Sequence, residues 1–289
     1  MILNPDETIL AAGSNGSGQL GDGTTTDRTN LVGVLNLTNA VGVAAGALHS
    51  LAWAADGTAW AWGDDTYGQL GDGNSSGQQS SPVQIANLSG IVQMAGGYQH
   101  SLALDSSSDV WVWGNNSSGQ LGDGTTTHQT TPEQLSGLNN VVGIAAGGAH
   151  SLALVSDETV RAWGNNSYGQ IGDGTTTQRT TPVTVSGLTN AFEIAAGYNH
   201  SLAVVSDETV RAWGYNNYGQ IGDGTTNNRA TPVREMCIRD SSYTMETALE
   251  AQASMVVNLI ALIQTTVASQ QMRAMGMDVP CLLYTSRCV

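Results

Sequence analysis

Apolar residues in this chain come in short bursts, each stopped by Gly, Asn or Asp, and the bursts return on a fixed beat. One full beat runs from Val141 to Asn190. Val141-Val142-Gly143-Ile144-Ala145-Ala146 is halted by Gly147-Gly148, and Ser151-Leu152-Ala153-Leu154-Val155 turns at Ser156-Asp157-Glu158. Thr159-Val160-Arg161-Ala162-Trp163, a Gly-rich loop and Thr181-Pro182-Val183-Thr184-Val185 complete it. Runs this short, bounded by turn residues and lacking helical periodicity, predict four strands per unit. Four strands in a unit of this length make one propeller blade.

Three signatures hold the register. Gly-Gln-Leu/Ile-Gly-Asp-Gly-Thr/Asn starts at Gly18, Gly68, Gly119, Gly169 and Gly219, in steps of 50, 51, 50 and 50 residues. Gly-x-x-His-Ser-Leu-Ala recurs at His49, His100, His150 and His200, and Trp-Gly at Trp62, Trp113, Trp163 and Trp213. Glycine supplies positive φ, and Asp and Asn close tight turns on their own backbone, so the heptad reads as scaffold. Pro82, Pro132, Pro182 and Pro232 suit an outer strand, because proline cannot donate to a central ladder. The recurring Trp, alternating with small residues, is expected to wedge between blades.

These motifs resemble the regulator of chromosome condensation repeat, whose units of similar length build a seven-bladed β-propeller. The resemblance covers residues 1 to about 235. It implies an all-β fold, here a partial, open propeller of about four to five four-stranded blades. Thr8 to Ala12 align with Thr209 to Ala212, so the chain is expected to begin inside a blade, with a truncated N-terminus.

After Thr231-Pro232-Val233 the repeat stops, and residues 236–289 read as a separate tail. All three cysteines lie in its two ends, Met236-Cys237-Ile238-Arg239-Asp240-Ser241 and Cys281 to Val289, so they carry no redox information about the repeats. Both ends resemble translations of one transposase adapter: CTCTTATACACATCT can encode part of the second, and its reverse complement most of the first. The tail is therefore expected to be chimeric, a hypothesis that an independently amplified genomic clone joining tail to repeats would refute. Between the ends, Leu249, Val256, Val257, Leu259, Ile260 and Ile263 predict one amphipathic C-terminal α-helix over 244–275. Asn258 and Gln264 interrupt it, so no membrane span is expected.

Composition then narrows function. Net charge is −15 with no lysine, which disfavours nucleic acid as a partner. No charged-then-apolar leader opens the chain; acidic, cysteine-free repeats fit a secreted or surface protein at least as well as a cytosolic one.

Candidate chemistry is thin. Gly16-Ser17-Gly18-Gln19-Leu20-Gly21 matches a dinucleotide pattern but opens no helix. Histidines from successive blades, with packed sheets about 10 Å apart, cannot share one zinc ion and read instead as His-Ser pairs bonding a neighbouring strand or blade. Within each His-Ser dipeptide the side chains point to opposite faces of the strand, so it is not a nucleophile–base dyad. Asp64-Asp65-Thr66-Tyr67-Gly68 lacks the ligand alternation of an EF-hand loop. Asp157-Glu158 and Asp207-Glu208 read as solvated hairpin tips. No catalytic group, cofactor site or metal site is expected.

In a repeat, invariant positions build the fold and variable ones are free to bind. The pair before each His varies: Ala47-Leu48, Tyr98-Gln99, Gly148-Ala149 and Tyr198-Asn199. So does the residue before the heptad: Ser17, Tyr67, Ser118, Tyr168 and Tyr218. Tyrosine presents rigid amphipathic area and is enriched at interfaces. The candidate partner-binding residues are thus Tyr67, Tyr98, Gln99, Tyr168, Tyr198, Asn199 and Tyr218, provided the loops share a face. The expected function is a non-enzymatic scaffold whose loop face meets an unknown protein partner. The resemblance also implies two alternatives. One is guanine-nucleotide exchange on a small GTPase, although no insertion breaks the beat to supply a wedge. The other is ultraviolet sensing, although no Arg lies near Trp53, Trp60, Trp62, Trp111 and Trp113 in sequence.

Overall fold

The computed structural model describes residues 1–75 and 77–235. The tail at 236–289, with the helix expected over 244–275, lies outside the described residues.

Each apolar burst becomes a strand. Blade 2 comprises β4 (Ala40–Ala45), β5 (His49–Ala54), β6 (Ala59–Asp65) and β7 (Gly77–Gln84), paired antiparallel in chain order. Blades 3, 4 and 5 repeat this with β8 (Ile91–Gly96) to β11 (Gln129–Gln134), β12 (Val141–Ala146) to β15 (Arg179–Thr184), and β16 (Ala191–Ala196) to β19 (Arg229–Arg234). The intervening strands are β9 (His100–Asp105) and β10 (Val110–Gly114), β13 (His150–Val155) and β14 (Val160–Gly164), and β17 (His200–Val205) and β18 (Val210–Gly214). Blade 1 has three strands, β1 (Ile2–Leu3), β2 (Ile9–Gly13) and β3 (Arg28–Gly33), the counterparts of the second to fourth strands elsewhere.

The first strands β4, β8, β12 and β16 touch one another in sequence, whereas among the described residues no comparable run of contacts joins the fourth strands. Blades therefore radiate from a line of innermost strands, as in a propeller. The four prolines fall in the fourth, outermost strands, as their missing N–H requires. Apolar cores lie between blades, and Trp62, Trp113, Trp163 and Trp213 are fully buried there.

The heptad explains itself at these seams. It links the third strand of one blade to its fourth but also reaches across to the next blade. Gly119 adopts φ +69, and a Cβ there would lie 2.9 Å from the Thr180 Cα of blade 4. Two requirements thus coincide at one residue: a left-handed backbone and bare contact with a neighbouring main chain. Gly137, in the linker to blade 4, has φ +79 with nothing within 4 Å, and Asn36 and Asn87 occupy the same linker position elsewhere. Gly119→Ala should therefore cost at least about 2 kcal/mol of stability in urea unfolding. Gly137→Asn should stay within about 0.5 kcal/mol of wild type.

Candidate protein-interaction surface

Alternating strand direction sorts the loops. The Gly-x-x-His turn joins strands one and two, and the heptad joins three and four, so both lie at the same end of every blade. Hydrogen bonds tie them directly: the backbone N–H groups of Asp64, Asn115, Asn165 and Tyr215 donate to the carbonyls of Leu48, Gln99, Ala149 and Asn199, at 2.9, 2.8, 2.8 and 2.9 Å. The acidic two–three hairpins and the interblade linkers occupy the opposite end, joined by Ser156 N–H to Asn140 O and Ser206 N–H to Asn190 O, both at 2.9 Å.

A repeated network fixes the loop face. The backbone carbonyl of Gln69 accepts from Trp113 Nε1 (2.9 Å) and from Ser101 Oγ (2.8 Å), both of blade 3. Gln19, Gln120 and Gln170 serve the following blades in the same way. Ser101 in turn lies 2.9 Å from His49 Nε2 of blade 2, and the His100–Ser151 and His150–Ser201 pairs repeat this at 3.0 and 2.9 Å. The serine proton goes to the glutamine carbonyl, so the serine oxygen accepts and histidine is protonated on Nε2. As the sequence suggested, these residues bond a neighbouring blade: each His meets the Ser of the next blade. That proximity could suggest a nucleophile–base pair, but the hydroxyl proton points away from the imidazole and both groups are buried. The pair is structural.

The first glycine of Gly-x-x-His is needed for this ring. A Cβ on Gly97 would fall 2.1 Å from His100 Cε1 and 2.3 Å from Nδ1. The Nδ1 atoms of His49, His100 and His150 are buried without a hydrogen-bond partner. Burial pushes these imidazoles down, to about 4 for His49 and about 3 for His100 and His150; Asp64 partly opposes this at His49, and neighbouring histidines add to it at the other two. Burial likewise lowers His200 to about 4.

The outer loop is centred on Asn. Asn166 Oδ1 accepts from Ile171 N–H at 3.0 Å, while Nδ2 donates to the carbonyls of Thr175 and Thr177 at 3.1 and 3.0 Å. Asp22, Asp173 and Asp223 each hold an arginine, Arg28, Arg179 and Arg229, at 2.6, 2.5 and 2.5 Å. Burial alone would raise the Asp22 carboxyl, but hydrogen bonds from Thr24 and Arg28 prevail and hold it at about 2. Among the described residues no group of three or more His, Cys, Asp or Glu is arranged to hold a metal ion.

The candidate residues divide into two groups on this face. Tyr98 and Tyr198 belong to blades 3 and 5, yet their rings meet edge to face at 5.7 Å. They do so across blade 4, where Gly148 N–H donates to Tyr198 O at 2.9 Å and a Cβ on Gly148 would lie 3.0 Å from the Tyr198 ring. Tyr168 packs on Tyr215 at 4.7 Å, and Tyr215 on Tyr218 at 6.0 Å. Tyr67 stands apart, against His128 of blade 3 at 5.1 Å. Gln99 and Asn199 are half-buried beside the inner pair, and Gln99 Oε1 already accepts from Asn115 Nδ2 at 3.1 Å. Sequence reasoning missed Tyr215 and His128. Tyr215 replaces the Asn of Asn115 and Asn165, so the same test of variable positions would have found it.

An array of four-stranded blades carrying its variable side chains on one loop face defines a β-propeller repeat protein. The chain belongs to the RCC1-like domain family, whose model matches residues 1–261. It is 44% identical over 94 residues to human probable E3 ubiquitin-protein ligase HERC3, covering 32% of this chain and 9% of that protein. With the Arabidopsis thaliana ultraviolet-B receptor UVR8 it shares 37% identity over 133 residues, 44% of this chain and 30% of the receptor. The alignments thus span less than a third of either relative. Among solved structures, human WBSCR16 superposes with a TM-score of 0.70 at 26% identity, covering 78% of this chain and 62% of that one. Prp20p from Saccharomyces cerevisiae superposes at 0.66 and 23% identity, over 74% and 55%, a likeness of fold.

The buried neutral histidines predict acid lability. The unfolded chain binds these protons near pH 6.5, the folded chain only near 3 to 4, so stability is greatest above pH 6.5 and falls as pH drops below it. Between pH 7 and pH 5 each buried ring should remove about 2 kcal/mol. Urea midpoints at pH 7, 6 and 5 measure this; a flat profile would contradict the neutral ladder.

Proposed function

We propose that this chain is a non-enzymatic scaffold whose loop face contacts a protein partner through its two tyrosine clusters. The supporting observation is that the variable tyrosines are gathered at the end of the blades where the framework is most fixed. Main-chain bonds, the Gln–Trp–Ser joints and the Asn-centred loops hold their backbones, so little entropy is lost when Tyr98, Tyr168, Tyr198 or Tyr218 is covered. These four are exposed, by 40, 36, 62 and 82% of their surface. Each brings a large apolar ring with a polar tip to the rim. Three carboxylates on this face, Asp22, Asp173 and Asp223, pair with arginine, whereas Asp72 and Asp123 accept hydrogen bonds from uncharged groups, so the tyrosines stand beside residual negative charge.

The names of the aligned relatives describe whole proteins of which this chain matches a part. A ligase or receptor activity therefore does not pass to it by identity alone.

The variant Tyr98→Ala/Tyr198→Ala tests the reading. Proteins crosslinked to the intact chain in its native extract should include at least one species that this variant loses, with an unchanged thermal midpoint. An unchanged crosslinking profile would refute the tyrosine face. Release of labelled GDP from small GTPases, run alongside, is expected at background rate.

A further inference from the structure

Exposed large apolar side chains among the described residues form three groups. The tyrosines occupy the loop face, and Ile2, Leu31 and Leu35 belong to blade 1. The third group is periodic: Val41, Val92, Val142 and Phe192, exposed by 46, 51, 54 and 51%. Phe192 is the sole phenylalanine of the chain, and it is spent in solvent.

These four are equivalent residues, one on each innermost strand. Pairing with the second strand slips at each of them. Ala40 pairs with Ala54 and Gly42 with Trp53, leaving Val41 unopposed; the same shift skips Val92, Val142 and Phe192. A bulge adds one residue to a strand and re-aims its side chain. Here it turns an apolar residue outward while Ala40, Ile91, Val141 and Ala191 before it stay buried. Because the innermost strands are neighbours, the four lie in succession along one arc, at the strand ends where the linkers enter.

The same end carries the two–three hairpins, with Asp56, Asp109, Asp157, Glu158, Asp207 and Glu208 among their carboxylates. Asp56, Asp157 and Asp207 are exposed, and hydrogen bonds from Thr58, Thr159 and Thr209 hold them ionised. Against these six carboxylates stand three arginines, Arg161 near Asp157 and Arg211 and Arg234 near Asp207, with Arg211 at 3.8 Å, so the rim stays acidic.

We propose that this apolar arc, rimmed by carboxylates, docks a basic amphipathic peptide segment of a protein partner. Its apolar residues would cover Val92, Val142 and Phe192, and its Lys or Arg side chains would meet the hairpin carboxylates. Charge decides the occupant. A second copy of this chain has no lysine and is itself acidic, and anionic membranes or nucleic acids would be repelled. The site is on the opposite face from the tyrosines and stands or falls independently of them.

Fluorescence anisotropy of the full chain with a labelled Lys/Leu amphipathic peptide tests this, with Lys/Ser and Glu/Leu peptides of equal length as probes of each component. Lys/Leu should bind at least about tenfold tighter than Lys/Ser, and Glu/Leu should not bind. Val142→Ser/Phe192→Ser, at exposed positions, should weaken Lys/Leu at least about tenfold, whereas Tyr98→Ala/Tyr198→Ala should leave it unchanged. Should the double variant shift the thermal midpoint, Val92→Ser replaces it, with weakening again expected. Absent Lys/Leu binding, equal binding of Lys/Ser, or indifference to the serine substitutions would each overturn the proposal. So would sedimentation showing a dimer that Val142→Ser/Phe192→Ser dissolves, which would assign the arc to a second copy.

Discussion

The heptad glutamine carbonyl is the joint on which the array depends. It belongs to one blade and accepts the indole N–H and the serine hydroxyl of the next. Both donors are buried, so a misplaced carbonyl would leave two unsatisfied groups, each costing about 1–3 kcal/mol. The glutamine side chain holds its own loop, Oε1 accepting from the backbone N–H two residues earlier at Ser17, Tyr67, Ser118, Tyr168 and Tyr218. A one-residue slip between Trp and Gln would turn every side chain of that strand to its other face. The even beat follows from this joint. The one longer step, 51 residues, adds its residue after Gln69, between the heptad and Pro82. There β7 lengthens and Gly77 takes φ 99 without disturbing the carbonyl.

Strands, blades and outer-strand prolines were legible because each has a local cause: alternation, turn residues and a missing donor. Unit Val141–Asn190 shows this, its strands falling within two residues of their expected places. Partnerships between blades were less legible. The interblade role of the Trp follows from size alone, but the atom it bonds, Gln120 O for Trp163, is 43 residues away, and nothing local names it. Gly-x-x-His was visible as a motif, yet why glycine is required appears only when the imidazole lies on its Cα. The bulges at Val92 and Phe192 left no mark in the pattern, because a bulged apolar residue reads like any other residue of a buried strand.

Candidate contact residues were legible to the extent that variation was. Tyr98 and Tyr198 stood out from Ala47 and Gly148, but their contact depends on blade 4 offering glycine between them, a relation among three repeats. Tyr215 and His128 shape the same surface from positions where neighbouring blades carry Asn, Asp or Gln.

Acidic residues are also held differently at the two ends of the blades. On the loop face Asp22, Asp173 and Asp223 are committed to arginines within their own loops, while Asp72 and Asp123, at the equivalent place in blades 2 and 3, accept from uncharged groups. On the hairpin face the carboxylates of Asp56, Asp157 and Asp207 accept from the threonine two residues on, and Asp207 also has Arg211 at 3.8 Å. Such threonine bonds shape a turn without neutralising its carboxylate. The hairpin carboxylates and the bulged apolar arc share one end, and the tyrosines lie at the other. One blade sequence, repeated, thus builds two surfaces of different chemistry, because the antiparallel order sends alternate loops to opposite ends.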